Sequence, residues 1–127
     1  MALKTTLWRV PRGPDDGLRV LVTRYRPRAL PKAMETWDVW MRALGPSAEL
    51  FDAFFGKKGK TPLPLRDYHA RYREEMLRPE PAALLDGLAA RLRRGENVTL
   101  LCSKDCLLAE VCHRTVLAEL LRSRLAG

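Results

Sequence analysis

The sequence predicts a small α/β protein: one domain over residues 1–127, with a short mixed, mostly parallel sheet flanked by helices. Three observations lead there. Apolar stripes at helical spacing alternate with short apolar runs through the second half of the chain, the pattern of helices covering a sheet. The run Val98-Thr99-Leu100-Leu101-Cys102 reads as a strand buried on both faces. At 127 residues the chain is long enough to bury roughly two-thirds of its unfolded surface in one core, with no room for a second.

The elements follow in order. Leu3 to Val10 predicts a first strand, the turn-rich Pro11-Arg12-Gly13-Pro14-Asp15-Asp16-Gly17 a loop, and Leu18 to Thr23 a second strand. A linker this short does not carry the usual parallel crossover, so these two strands are antiparallel if they pair. Trp37, Trp40, Met41 and Leu44 recur at helical spacing and predict a helix stopped by Gly45-Pro46. Ser47 offers a cap to the next helix, which bears Leu50, Phe51 and Phe54 and ends at Gly56. A basic loop with Lys57, Lys58 and Lys60 leads to a helix carrying Tyr68, Tyr72 and Met76 on one face. Pro79 and Pro81 separate it from a helix striped by Leu84, Leu85, Leu88 and Leu92, which Gly95 closes before the strand Val98–Cys102. In the last helix Val116, Leu117, Leu120 and Leu121 share a stripe with His113, whereas Leu107, Leu108 and Val111 fall out of phase. The helix therefore starts near residue 112.

Composition narrows the function classes. No apolar run approaches the ~20 residues of a membrane span, and the N-terminus has no apolar signal core. The expectation is a cytoplasmic protein with no membrane partner. Three clustered cysteines, an odd number, do not make a secreted disulfide framework, so reduced thiols are expected. The net charge is +8, and 17 of the 23 basic residues are arginine, the side chain suited to bidentate contact with phosphate or carboxylate. The absence of Ile and Gln fits codon bias or heat adaptation, and a solvated basic surface is the plainer account of the global charge.

The local clusters are more informative. All three cysteines, Cys102, Cys106 and Cys112, lie in one short segment, with His113 and Arg114 directly after the last. Helical phase puts Cys112, His113 and Arg114 in the first turn of the last helix, where unpaired backbone N–H groups favour anions and thiolates. Cys102 ends the preceding strand, and in open α/β sheets ligands bind beyond the carboxyl ends of strands. This predicts a site with Cys112 and His113 as catalytic thiol and acid or base, and with Cys102 and Arg114 contacting the ligand. The structural alternative is that Cys102 and His113 fill the core and Arg114 is solvated. No metal and no cofactor are expected, because adjacent helical residues such as Cys112 and His113 point about 100° apart and the cysteine spacing matches no strong zinc or iron-sulfur pattern. A second cluster, Arg24-Tyr25-Arg26-Pro27-Arg28-Ala29-Leu30-Pro31-Lys32, carries three arginines and a lysine without an acid. It reads either as an anion grip through Arg24 and Arg28 or as a basic turn paired elsewhere.

Arg19-Val20-Leu21-Val22-Thr23-Arg24, Pro27-Arg28-Ala29-Leu30-Pro31-Lys32, Trp40, Pro46-Ser47-Ala48-Glu49-Leu50, Tyr72 and Val98-Thr99-Leu100-Leu101 together resemble the YeaO-like branch of the family catalogued as domain of unknown function 488. That branch has a strand ending in Asp-Arg followed by Trp-Pro-Arg-Gly-Leu-Ser-Lys. Here Thr23, Arg26, Ala29 and Pro31 depart from the motif, and the loss of the acid at Thr23 bears on any activity that needs it. The histidine of that branch matches His113, and Cys112-His113-Arg114 resembles the Cys-His-Arg element of other branches. The resemblance implies a compact α/β domain, a cytoplasmic bacterial protein and a pocket using Arg24, Arg28 and His113, and implies no substrate. Two functions then compete: a small-molecule enzyme or binding protein for a phosphate- or carboxylate-bearing ligand, and a nucleic-acid-binding accessory protein. The second would use Arg24 to Lys32, Lys57, Lys58, Lys60 and the Arg91, Arg93, Arg94 cluster.

Overall fold

Four parallel strands and four helices build the protein in a computed structural model that describes residues 2–59, 61–102 and 112–126. The strands are β1 (Leu3–Leu7), β2 (Leu18–Leu21), β3 (Val39–Trp40) and β4 (Val98–Cys102). The helices are α1 (Ala48–Phe55), α2 (Leu65–Glu75), α3 (Pro79–Arg93) and α4 (His113–Ala126). Single 3-10 turns at Lys32–Met34 and Arg42–Leu44 bracket β3. The sheet order is β1-β4-β2-β3, with Leu3 opposite Val98 and Val20 opposite both Leu100 and Val39.

The small α/β architecture is the one expected, but the sheet has no antiparallel member among the described residues. β4 inserts between β1 and β2, so the two strands joined by the short linker never pair. The linker crosses beside β4 without a helix, held by polar contacts in place of an apolar stripe. The Arg19 guanidinium, fully buried, donates to the Val10 carbonyl at 2.6 Å and to Asp16 at 3.2 Å, and Thr99 Oγ1 donates to the Asp16 carbonyl at 2.8 Å.

The helix expected from Trp37 to Leu44 is replaced by β3 and its flanking turn. Pairing with β2 decides this: Asp38 N–H donates to the Arg19 carbonyl at 2.8 Å and Met41 N–H to the Leu21 carbonyl at 2.9 Å. The aromatic spacing serves other contacts, with Trp37 edge-on to Trp8 and Trp40 Nε1 donating to the Thr23 carbonyl. β1 also ends earlier than expected, at Leu7, where a turn bonds Val10 N–H to the Leu7 carbonyl.

The remaining helices form where local chemistry places them. Ser47 Oγ accepts from Leu50 N–H at 3.1 Å, and Gly56, at φ 68°, supplies the left-handed residue that ends α1. Pro79 and Pro81 lie in the first turn of α3, where a missing N–H costs nothing. Alternation along the strands puts Val20, Val22, Val98 and Leu100 on one face. That face joins Leu50, Tyr72, Leu85, Leu88, Leu92, Leu117 and Leu121, from all four helices, in one apolar core. Cys102 shares its parity with Val98 and Leu100, which points it toward the helices.

Candidate functional site

The carboxyl ends of β2 and β4 meet the start of α4, and three sequence-predicted residues converge there. Cys102 closes the fully buried β4, and Cys112 immediately precedes His113, the first residue of α4. Cys102, Cys112 and His113 are 1%, 3% and 5% exposed. Cys112 Sγ donates to Cys102 Sγ at 3.0 Å, about 1 Å beyond a disulfide bond between the two.

The imidazole of His113 is oriented from two sides. Nε2 lies 2.7 Å from the Val22 carbonyl, an acceptor only, so Nε2 carries the proton. In the neutral ring Nδ1 is then the acceptor, and it lies 3.9 Å from Cys112 Sγ. The edge of Tyr72 meets the ring, with centroids 5.3 Å apart and an interplanar angle of 69°. Tyr72 is itself fully buried and donates its hydroxyl proton to the Leu44 carbonyl. Burial holds that hydroxyl well above the usual tyrosine range, and Tyr68 and the two thiols reinforce the shift.

Arg114 is 6% exposed, so the solvated alternative does not hold, and its backbone N–H lies 3.5 Å from Cys112 Sγ. Arg24 follows two residues after the Val22 carbonyl that bonds His113. Its Nε is buried without a hydrogen-bond partner among the described residues. The backbone here is held closely: Thr23 Oγ1 donates to the Tyr25 carbonyl at 2.7 Å, and Gly45 lies so near that a Cβ on it would come within 2.5 Å of Arg24 N.

Arg28 is exposed on the loop beyond, and the described contacts do not tie it to the thiol cluster. Nor does this loop lack an acid: Arg26 bonds Glu35 through Nε at 2.9 Å and through its terminal nitrogen at 2.7 Å, while its guanidinium lies over Trp37. Cys106 lies outside the described residues.

The structure thus brings Cys102, Cys112, His113 and Arg114 together, sets Arg24 on the adjoining loop and leaves Arg28 apart. The Val22 and Leu44 carbonyls and Tyr72 were missed as site residues. Tyr72 stood in a core stripe, and the only available signal was that a buried tyrosine needs a partner for its hydroxyl. The 100° argument against shared ligation by Cys112 and His113 does not apply, because Cys112 lies outside the helix. One ligand atom from each of Cys102, Cys112 and His113 falls within 4.8 Å of the others.

Elsewhere the basic residues are partly neutralised. Arg91 and Arg94 both bond Glu96, Arg93 donates to the Arg124 carbonyl, and Lys58 pairs with Asp52 at 3.0 Å. An open cleft lined by Gly17, Leu18, Asp38, Arg91, Glu96 and Asn97 lies at the amino ends of β2 and β4, opposite the thiols. Among the described residues no helix is long and apolar enough to cross a membrane.

Comparison with known proteins agrees with the sequence motifs. The family model DUF488-N3a, described as the active DUF488-N3 subclade, matches residues 3–125. Uncharacterized proteins from Mycobacterium bovis and from two strains of Mycobacterium tuberculosis are each 33% identical over 113 residues, covering 87% of this chain and 86% of theirs. No solved structure matches significantly. With a family match along nearly its whole length and relatives at one-third identity, the chain belongs to the DUF488 family.

Proposed function

We propose that the site binds a small phosphate- or carboxylate-bearing ligand and that Cys112 attacks it as a thiol nucleophile. The observation that carries this reading is the ordering of His113. With Nε2–H held by the Val22 carbonyl, the basic Nδ1 is turned toward Cys112 Sγ, as in a cysteine–histidine pair. The thiol proton passes to Nδ1 as sulfur bonds to the electrophilic atom of the ligand, and the leaving group departs with that proton. Cys102, in contact with Cys112, positions the nucleophile.

Arg114 at the positive end of α4 would hold the anionic group, with Arg24 contributing from the loop after β2. The word "active" in the family description fits an enzymatic role. Calorimetric titration with inorganic phosphate and with acetate tests the binding step. Saturable binding of either anion that weakens at least about tenfold in Arg24→Ala and Arg114→Lys supports the shared pocket. Wild-type affinity in both variants, or no saturable binding, contradicts it. Tight binding of single-stranded DNA or RNA at low salt, with no affinity for small anions, would favour the nucleic-acid alternative.

A further inference from the structure

We propose that Cys102, Cys112 and His113 form a zinc site, with the two Sγ atoms and His113 Nδ1 as ligands. Zinc–sulfur and zinc–nitrogen bonds of about 2.3 and 2.1 Å in a tetrahedron place ligand atoms roughly 3.5 to 3.8 Å apart. Two of the three pairwise distances, 3.0 Å between the sulfurs and 3.9 Å from Cys112 Sγ to Nδ1, bracket that range, and the third lies within 4.8 Å. Metal entry therefore parts the sulfurs by under about 1 Å and draws the imidazole slightly inward.

Three further features favour an ion here. The bond from Nε2–H to the Val22 carbonyl turns Nδ1 toward the thiols and raises its basicity, the outer-shell arrangement typical of metal-bound histidine. Two thiolates balance a divalent cation, so the loaded cluster adds no net charge to a site where each ligand is at most 5% exposed. Two sulfurs and an imidazole select zinc over magnesium or calcium.

The inference rests on the cluster geometry and holds whether or not Cys112 performs chemistry on a ligand. It also has a consequence for the proposed nucleophile: zinc occupies the Cys112 sulfur, so the loaded chain is the blocked form. Cys112 then alternates between metal ligation and thiol reactivity according to zinc availability.

The test is cobalt and zinc titration of the reduced, chelator-treated chain. Cobalt should bind with the intense visible bands of a tetrahedral ion and a thiolate charge-transfer band, and zinc should displace it at one ion per chain. Cys102→Ser, Cys112→Ser and His113→Asn should each weaken binding at least about a hundredfold, whereas Cys106→Ser should not. If a ligand variant fails to fold, site-resolved alkylation of the wild type decides: zinc should protect Cys102 and Cys112 and leave Cys106 reactive. Absence of a thiolate band, loss of binding in Cys106→Ser, or protection of Cys106 alone overturns the assignment. None of these outcomes alters the phosphate titration, so the two proposals fail separately.

Discussion

Replacing Tyr72 by Phe removes one oxygen from the wall of the site and leaves the ring against His113. The hydroxyl donates to the Leu44 carbonyl in a fully buried position, so the variant strands a buried acceptor. Such a loss costs about 1–3 kcal/mol, a visible part of the total stability of a domain this size. The same substitution has the opposite effect at high pH. Burial keeps the Tyr72 hydroxyl protonated in the folded chain well above the usual range, whereas the unfolded chain releases the proton near about pH 10. Above that value the native state binds more protons than the unfolded state, so stability falls as pH rises. One proton sets the slope, at most about 1.4 kcal/mol per pH unit. The Phe variant lacks this loss. Urea denaturation of both chains from neutral to alkaline pH should show the wild type ahead at pH 7, with its lead shrinking above about pH 10. Equal stabilities at neutral pH, or a constant gap through the alkaline range, would refute the account of this wall.

Two further substitutions probe the supports of the site. In Gly45→Ala the added Cβ would lie 2.5 Å from Arg24 N and 2.8 Å from the Thr23 carbonyl carbon. Backbone must shift, so a loss of about 1–3 kcal/mol in the urea midpoint is expected, together with weaker phosphate binding as the loop leaves Arg24 and the Val22 carbonyl misplaced. Ser47→Ala removes the α1 cap and the hydroxyl bond to Glu75, and should lower stability by about 1–2 kcal/mol while leaving phosphate affinity unchanged, as measured by denaturation and titration together.

The legible parts of the chain are those where local chemistry acts alone. Ser47 and Gly56 mark both ends of α1, and the phase of His113 with Val116 and Leu117 marks the start of α4. The strand Val98–Cys102 has the bounds its apolar run suggests. What escaped notice depends on distant partners. Trp37 and Trp40 keep a helical spacing, yet the β2 backbone pairs with Val39 and Trp40, and helix periodicity carries no information about that pairing. Arg26 is neutralised by Glu35, which lies beyond the basic stretch Arg24–Lys32.

The site divides in the same way. The adjacency of Cys112, His113 and Arg114 is a sequence fact, but the contact of Cys112 with Cys102 depends on how β4 delivers its last residue to α4. The Val22 carbonyl, which sets the state of His113, is a backbone group and has no residue type to betray it.

The central claim is that an anion-binding pocket surrounds a reactive Cys112. Alkylation of the metal-free chain with iodoacetate and with iodoacetamide, followed residue by residue by mass spectrometry, tests it most directly. The two reagents place similar leaving groups before the thiol but differ in charge. The rate ratio of iodoacetate to iodoacetamide at Cys112 should lie well above that of free cysteine and fall toward the free value with inorganic phosphate and in Arg114→Ala. A ratio at Cys112 no higher than that of free cysteine, unmoved by phosphate, would contradict it.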